Sequence, residues 1–307
     1  MDAGALVHGV APVTPRQFAW FRIIFGAYLA IHFAHLVPWG AELFSREGVI
    51  PRASLNPTSG ILPNVLAWWD SPAFVTVFLL ALVGLSVLFA LGFARHVAAL
   101  LLWYGWACLF NRNVLISNPS IAYVGLLLLL TTLVPGREPL RALGKNAASE
   151  EFYVPAAAYW TAWFLLAAGY TFSGVVKLAS PSWIDGTAMW HVVQNPLARD
   201  GPLRDLVLGL PAWAFQLLTW KALALEILFL PLALWRWSRP VIWLAMVLMH
   251  VGILALVSFA DLSAGMLMVH LFTVDSRWPA MLQVIRDGFV RSRSEALVTR
   301  TTASSGS

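Results

Sequence analysis

Lys177 is the residue whose surroundings in the sequence most favour chemistry. It ends an apolar run that begins at Tyr153, and Trp183 and Asp185 follow within eight positions. Burial of a lysine against aromatic side chains disfavours its charged form, and the neutral amine can act as a base or a nucleophile. A lysine at the end of a membrane helix can instead be an anchor that extends its ammonium to the headgroups. An ion pair with Asp185 would favour the charged form, and the sequence leaves these alternatives open.

Glu226 and His250 fall inside two other apolar stretches. An ionisable side chain is costly in lipid, so each must face other helices or a cavity. Glu226 is either a polar clamp between helices or part of the wall of a cavity beneath Lys177. His250 is either a hydrogen-bonding residue between helices or a residue with a chemical role.

Asn111, Arg112, Asn113 and Asn118 cluster between two apolar stretches. These side chains either cap helices and solvate the loop, or Arg112 binds an anionic or carbonyl oxygen at the mouth of a cavity.

Histidine and cysteine usage gives little indication of a metal. His32 and His35 are three positions apart and have no carboxylate beside them, which is a weak pattern for metal ligands. A single cysteine, Cys108, excludes a disulfide framework and a cysteine metal site. We therefore expect no metal ion.

The composition predicts a polytopic membrane protein. Of the 307 residues, 59% are hydrophobic and 11% are charged, whereas a soluble domain has roughly 25% charged residues. The 16 tryptophans suit interfacial belts, and the net charge of +5 suits basic cytoplasmic loops rather than nucleic acid binding.

Eight apolar stretches approach the length of about 20 residues that a spanning helix needs. They cover residues 18–37, 73–93, 97–110, 120–134, 153–176, 212–235, 241–257 and 264–274. The predicted fold is an all-α polytopic membrane protein with about eight transmembrane helices and two long external loops, 38–70 and 178–210. The first loop includes a possible interfacial helix that ends at Trp68 and Trp69.

Basic residues predict the orientation. With a cytoplasmic N-terminus, 13 of the 20 Lys and Arg residues lie in inside segments and six lie outside, while Lys221 lies within a span. The positive-inside rule then places both termini in the cytoplasm and Lys177 on the external face. We expect an N-terminal cytoplasmic segment at 1–15, a transmembrane domain at 16–275, and a basic, partly disordered cytoplasmic tail at 276–307. A bacterial-type inner membrane is the expected location.

Four motifs carry a resemblance to a known family. They are residues 21–26 followed by 42–49, residues 118–125, residues 170–186 with Ser-Gly-Val-Val-Lys-Leu and Ser-Trp-Ile-Asp-Gly, and His250 followed by 259–263. Over about residues 15–275, the chain resembles the horizontally transferred transmembrane (HTTM) domain family, which includes the membrane part of vitamin K-dependent gamma-carboxylase.

The resemblance implies a lyase that uses reduced vitamin K or menaquinol, with Lys177 as the base that deprotonates the quinol. In the carboxylase, oxygen then generates a strong base, a substrate glutamate loses a proton, and CO2 adds. His250 falls where the carboxylase has a helix histidine. Two departures are Pro119, where the carboxylase carries an active-site histidine, and the expected absence of its large extramembrane domain. The candidate catalytic residues are Lys177 and His250, and the candidate cofactor-binding residues, expected to line the cavity, are Trp183, Asp185, Glu226, Arg112 and Asn118.

Two functions remain open. The first is a quinol-dependent carboxylase-like or oxidoreductase-like enzyme. The second is a non-catalytic maturation or assembly factor that holds a lipid or an exported peptide in the same cavity. A transporter is less favoured, because the sequence shows no inverted repeat and few charges at mid-membrane. The expected partners are membrane lipid or quinol and an exported peptide or protein, without nucleic acid.

Overall fold

The computed structural model describes residues 10–136 and 152–280, which form helices, turns and loops. Within these ranges the extended pairings are the isolated bridges Val10 with Pro155 and Ala198 with Val257. The fold of the described residues is therefore all-helical, as predicted. Its α-helices are α1 (Pro15–Leu36), α2 (Gly40–Phe44), α3 (Val65–Trp68), α4 (Pro72–Leu91), α5 (Arg95–Arg112), α6 (Ser120–Thr132), α7 (Ala156–Lys177), α8 (Pro181–Ile184), α9 (Ala188–Gln194), α10 (Pro202–Leu208), α11 (Ala212–Ile227), α12 (Phe229–Leu234), α13 (Arg239–Leu256) and α14 (Ala260–Phe272).

Seven of the eight apolar stretches form one main helix each, namely α1, α4, α5, α6, α7, α13 and α14. The sixth stretch was predicted as one helix over 212–235, and this is wrong. It breaks at Leu228 into α11 and α12. The predicted polar loop that follows α6, with Arg137 and Arg141, lies outside the described residues, as does most of the tail.

Proline chemistry explains this break. Pro231 has no N–H, so the carbonyl of Ile227 cannot receive the usual helical hydrogen bond. The hydroxyl of Thr171, on the neighbouring helix α7, donates towards this carbonyl at 3.3 Å and accepts from the N–H of Leu230 at 3.1 Å. A side chain from another helix thus satisfies the backbone groups that the break releases.

Three described helical segments are long and apolar enough to cross a membrane: Pro15–Phe44, which includes α1 and α2, then α4 and α13. The number is four if α10 and α11, which meet at an angle of 106°, form one broken span. The helices α6 and α14 are apolar but have only 13 residues each. The structure is consistent with a helical membrane protein with three to four candidate spans, and the eight-span topology stays a prediction.

Helix α14 lies among several other helices, since it contacts α1, α6, α7 and α13. Helix α7 contacts α11 and α12 as well. On α1, the fully buried Arg22 donates to the carbonyl of Phe89 at 2.9 Å, near the end of α4. Helix α1 therefore faces other helices.

The loop over 38–70 is tied to the end of α5 by buried asparagines. Asn64 donates to the carbonyl of Cys108 at 2.9 Å, and Asn56 donates to that of Asn111 at 2.6 Å. The predicted helix before the tryptophan pair is α3, and Trp68 and Trp69 are both exposed.

Candidate functional site

Lys177, the last residue of α7, lies in a polar contact network that includes α11. Its Nζ pairs with the carboxylate of Glu226 and lies 3.0 Å from the hydroxyl of Ser173. The ring of Trp183 lies 4.8 Å from Nζ, measured to the ring centroid. The side chains of Lys177 and Glu226 are 23% and 9% exposed. The network therefore holds an ammonium by an ion pair, a hydrogen bond and a cation–π contact.

Gly174 allows the two helices to approach each other at this pair. A Cβ at this position would lie 2.8 Å from the backbone nitrogen of Ile227 and 3.0 Å from the Cβ of Glu226. Only glycine therefore fits without a shift of one of the helices. Because Gly174 comes one helical turn before Lys177, the close contact brings the lysine to the side of α11 that carries Glu226.

The segment after α7 holds Trp183 over the lysine. Gly186 ends this segment in the left-handed region, with φ +84°, which favours glycine. The exposed Asp185 accepts hydrogen bonds from the backbone N–H of Thr187 at 2.9 Å and from its hydroxyl at 2.7 Å. These hydrogen bonds from Thr187 lower the pKa of Asp185 below its ordinary value. Asp185 thus orders the turn, and the partner of Lys177 is Glu226.

Two contacts from α11 fix the same segment. The indole N–H of Trp220 donates to the carbonyl of Ile184 at 3.1 Å, and the hydroxyl of Thr219 accepts from the N–H of Met189 at 3.1 Å. The short helices α8 and α9 are therefore attached to the helix that carries Glu226.

A second polar network surrounds His250 on α13. Its Nε2 lies 2.6 Å from the hydroxyl of Tyr170, and its Nδ1 lies 3.2 Å from the hydroxyl of Ser263. The same tyrosine hydroxyl lies 2.9 Å from Nε2 of His270. All four side chains belong to buried residues. The network joins α7, α13 and α14.

The two networks adjoin. Tyr170 and Lys177 are seven residues apart on α7, which is about two helical turns, and they therefore lie on the same face of this helix. The structure thus brings together four residues that the sequence singled out: Lys177, Trp183, Glu226 and His250. Neither the role of Tyr170 nor that of His270 was foreseen. The rule that marked His250, an ionisable residue inside an apolar helix, applies equally to His270.

Asn118 belongs to a different cluster, around Asp261 at the start of α14. Its amide donates to Oδ2 of Asp261 at 3.4 Å, while Oδ1 lies 2.8 Å from Nδ1 of His32 and 3.0 Å from the hydroxyl of Tyr28. The carboxylate at this position therefore ties α14 to α1 and to the segment before α6.

Arg112 is fully buried at the end of α5, and its Nη2 donates to the carbonyl of Ser45 at 3.1 Å. Its Nε and Nη1 are buried without a hydrogen-bond partner in the described structure. Arg112 therefore secures the loop over 38–70, and its suggested role in cofactor binding stays a prediction.

Residues 10–136 and 152–280 contain no candidate metal site, because no group of three or more His, Cys, Asp or Glu side chains in these ranges could hold an ion.

Comparisons with known proteins give one relative. The chain is 28% identical over 215 residues to the uncharacterized protein YitO of Bacillus subtilis strain 168. The match covers 63% of this chain and 66% of that protein, so the chain spans slightly less than two thirds of the relative's length. No protein-family profile matches the chain. No solved structure matches it. The resemblance to the HTTM family stays a prediction.

Proposed function

We propose that this chain is a multi-pass membrane protein of about eight membrane-embedded helices, with Lys177 near the external face, and that it uses a lipid-soluble quinol in a carboxylase-like or oxidoreductase-like reaction. The observation that carries the proposal is the ion pair of the partly exposed Lys177 with the buried Glu226, next to the ring of Trp183. A charged pair inside an apolar helical assembly is costly, which favours a functional reason for its presence.

The residues around Lys177 suit a flat, apolar ligand with acidic hydroxyl groups. The amine can accept a proton, the indole of Trp183 offers an aromatic face, and Lys177 keeps 23% of its side chain exposed. Phe172 and Val176, on the same helix, are 71% and 54% exposed. In a membrane this apolar face meets lipid, which gives a hydrophobic ligand an approach to the end of α7.

Glu226 can accept the proton that Lys177 must lose before its amine can act as a base. Transfer of one proton from Nζ of Lys177 to the carboxylate of Glu226 turns the two charges into two neutral groups, and the net charge does not change. The amine can then take a proton from a bound hydroxyl group, while Ser173 holds Nζ in position. When bound, a reduced quinol would supply the electrons for the chemistry with oxygen.

A second function is favoured by the same contacts. The three partners of Lys177 all stabilise the ammonium, which suits a fixed positive charge that holds a lipid or peptide carboxylate. A maturation or assembly factor needs only this cation.

Substitution of Lys177 separates the two functions. Arginine keeps the positive charge but does not lose its proton in proteins, so it cannot act as the base. We expect Lys177→Arg to bind menaquinol in nanodiscs, measured by quenching of Trp fluorescence, but to fall about 10²-fold or more in quinol oxidation or CO2 incorporation. The matched control is Lys221→Arg, because Lys221 is an exposed lysine of α11. Full turnover by Lys177→Arg would refute the role of Lys177 as a base. If the wild-type protein does not bind menaquinol, the proposed quinol substrate is refuted and the non-catalytic maturation or assembly factor is favoured.

A further inference from the structure

Tyr170 lies between two imidazoles in the buried network that joins α7, α13 and α14. Its hydroxyl is 2.6 Å from Nε2 of His250 and 2.9 Å from Nε2 of His270. A phenol has one hydrogen to donate, so it can donate to only one of the two imidazoles and accepts from the N–H of the other. At least one of the two Nε2 atoms therefore carries a proton, and a relay requires the other to be unprotonated.

Burial makes this arrangement important for proton movement. Tyr170, His250 and His270 are 5%, 4% and 1% exposed. Bulk water therefore has little access to the two imidazoles, and a proton must pass through side chains or enclosed waters. Nδ1 of His270 is buried without a hydrogen-bond partner in the described part of the chain, so it is free to hold a proton or to pass it to an enclosed water.

We propose that Tyr170 is a proton-relay residue that joins His250 to His270 and gives the Lys177 site an internal path for a proton. In one direction, His250 starts as an imidazolium with protons on Nδ1 and Nε2, and His270 starts neutral with its proton on Nδ1. The N–H bond at Nε2 of His250 breaks and an O–H bond forms at Tyr170, while the original O–H bond of Tyr170 breaks and an N–H bond forms at Nε2 of His270. His250 ends neutral, and Nδ1 of His270 releases its proton to an enclosed water. One proton moves from His250 to His270, and the tyrosine is unchanged at the end.

The connection to Lys177 rests on the proposed function, because a base that accepts a proton must also lose it. Tyr170 lies about two turns before Lys177 on the same face of α7, which places the relay on the side of the helix that carries that base. Ser263 positions His250 from the opposite side of the ring through its Nδ1. The relay itself depends only on the geometry of the three buried side chains.

The alternative is a static clamp, in which the tyrosine only holds three helices together. The two roles differ in the effect of Tyr170→Phe, which removes the hydroxyl and keeps the ring. Loss of a relay slows the arrival of protons at His270. Loss of a clamp loosens the helices and speeds solvent entry.

The test is exchange of the imidazole N–H of His270 with D2O, measured by NMR on ligand-free, histidine-labelled (15N) protein in nanodiscs. We expect one protonated and one unprotonated Nε2 in the wild type, and exchange about 10²-fold slower in Tyr170→Phe. Tyr159→Phe is the matched control, since Tyr159 is also buried on α7 and its hydroxyl donates to the backbone carbonyl of Thr273.

Unchanged or faster exchange in Tyr170→Phe overturns the relay, and so does the finding of two protonated Nε2 atoms. If Tyr170→Phe does not fold, His250→Gln interrupts the same path and must slow exchange at His270. The measurement uses no ligand, so a failure of menaquinol binding, which refutes the proposed quinol, does not affect its result.

Discussion

Removal of Lys177 should destabilise the protein through the charge that it leaves behind. Lys177→Met keeps the length of the apolar stem but leaves the carboxylate of Glu226, only 9% exposed, without its partner. Breaking a buried ion pair on one side costs about 3–5 kcal/mol. Because Lys177 is itself 23% exposed, we expect the lower end, about 3 kcal/mol of unfolding free energy.

Substitution of the partner, Glu226, should cost less unfolding free energy. Glu226→Gln leaves an ammonium at a helix end, where Ser173 and Trp183 still contact it, and we expect a loss of about 1 kcal/mol. The double variant has neither charge. Its loss should therefore be smaller than the sum of the two single losses by about 1–2 kcal/mol, the size of coupling that directly contacting residues show.

Reversible unfolding in mixed micelles, followed by the fluorescence of the 16 tryptophans, gives the three free energies. Lys221→Met is the control, since this lysine is exposed on α11 and its substitution should change stability by less than about 0.5 kcal/mol. Strict additivity of the two losses would show that Lys177 and Glu226 do not interact in the folded protein. Equal losses for Lys177→Met and Lys221→Met would refute the assignment of a buried pair.

Two further predictions concern the segments that bring the pair together. Gly174→Ala should destabilise the protein by about 1–3 kcal/mol in the same unfolding assay, because the new Cβ meets the backbone of Ile227. The control is Gly84→Ala, because a Cβ at Gly84 meets nothing within 4 Å. Equal effects of the two substitutions would contradict the close helix contact. Asp185→Ala should lower Tm at pH 7 by removing the hydrogen bonds from Thr187. Since the folded-state pKa of Asp185 is lowered, its contribution is present above the ordinary Asp value of about 3.9 and disappears as pH falls below it. The Tm difference between the two proteins should therefore close at acid pH, and a constant difference would contradict this role.

The sequence was sufficient to predict seven of the main helices, because a spanning or buried helix is a local property of apolar length. The stretches that became α1, α4, α5, α6, α7, α13 and α14 are marked by composition alone. The break between α11 and α12 was not predicted, although Pro231 is visible in the sequence. A proline can end a helix or kink it, and here the hydroxyl of Thr171, distant in sequence, satisfies the released backbone groups.

The candidate site divides in the same way. Lys177, Glu226 and His250 were predictable as candidates, since a charge or an imidazole in an apolar stretch needs a partner. The identity of that partner depended on tertiary structure. Asp185 is only eight positions from Lys177 in the sequence, yet it binds the backbone and hydroxyl of Thr187.

Glu226, 49 residues away, reaches Lys177 because Gly174 lets two helices touch. The sequence by itself therefore determined which residues needed partners, through the cost of polar groups in an apolar environment. Only the packing of α7 against α11, α13 and α14 decided which partners they found, because hydrogen bonds and ion pairs act over a few ångströms between helices that are far apart in the chain.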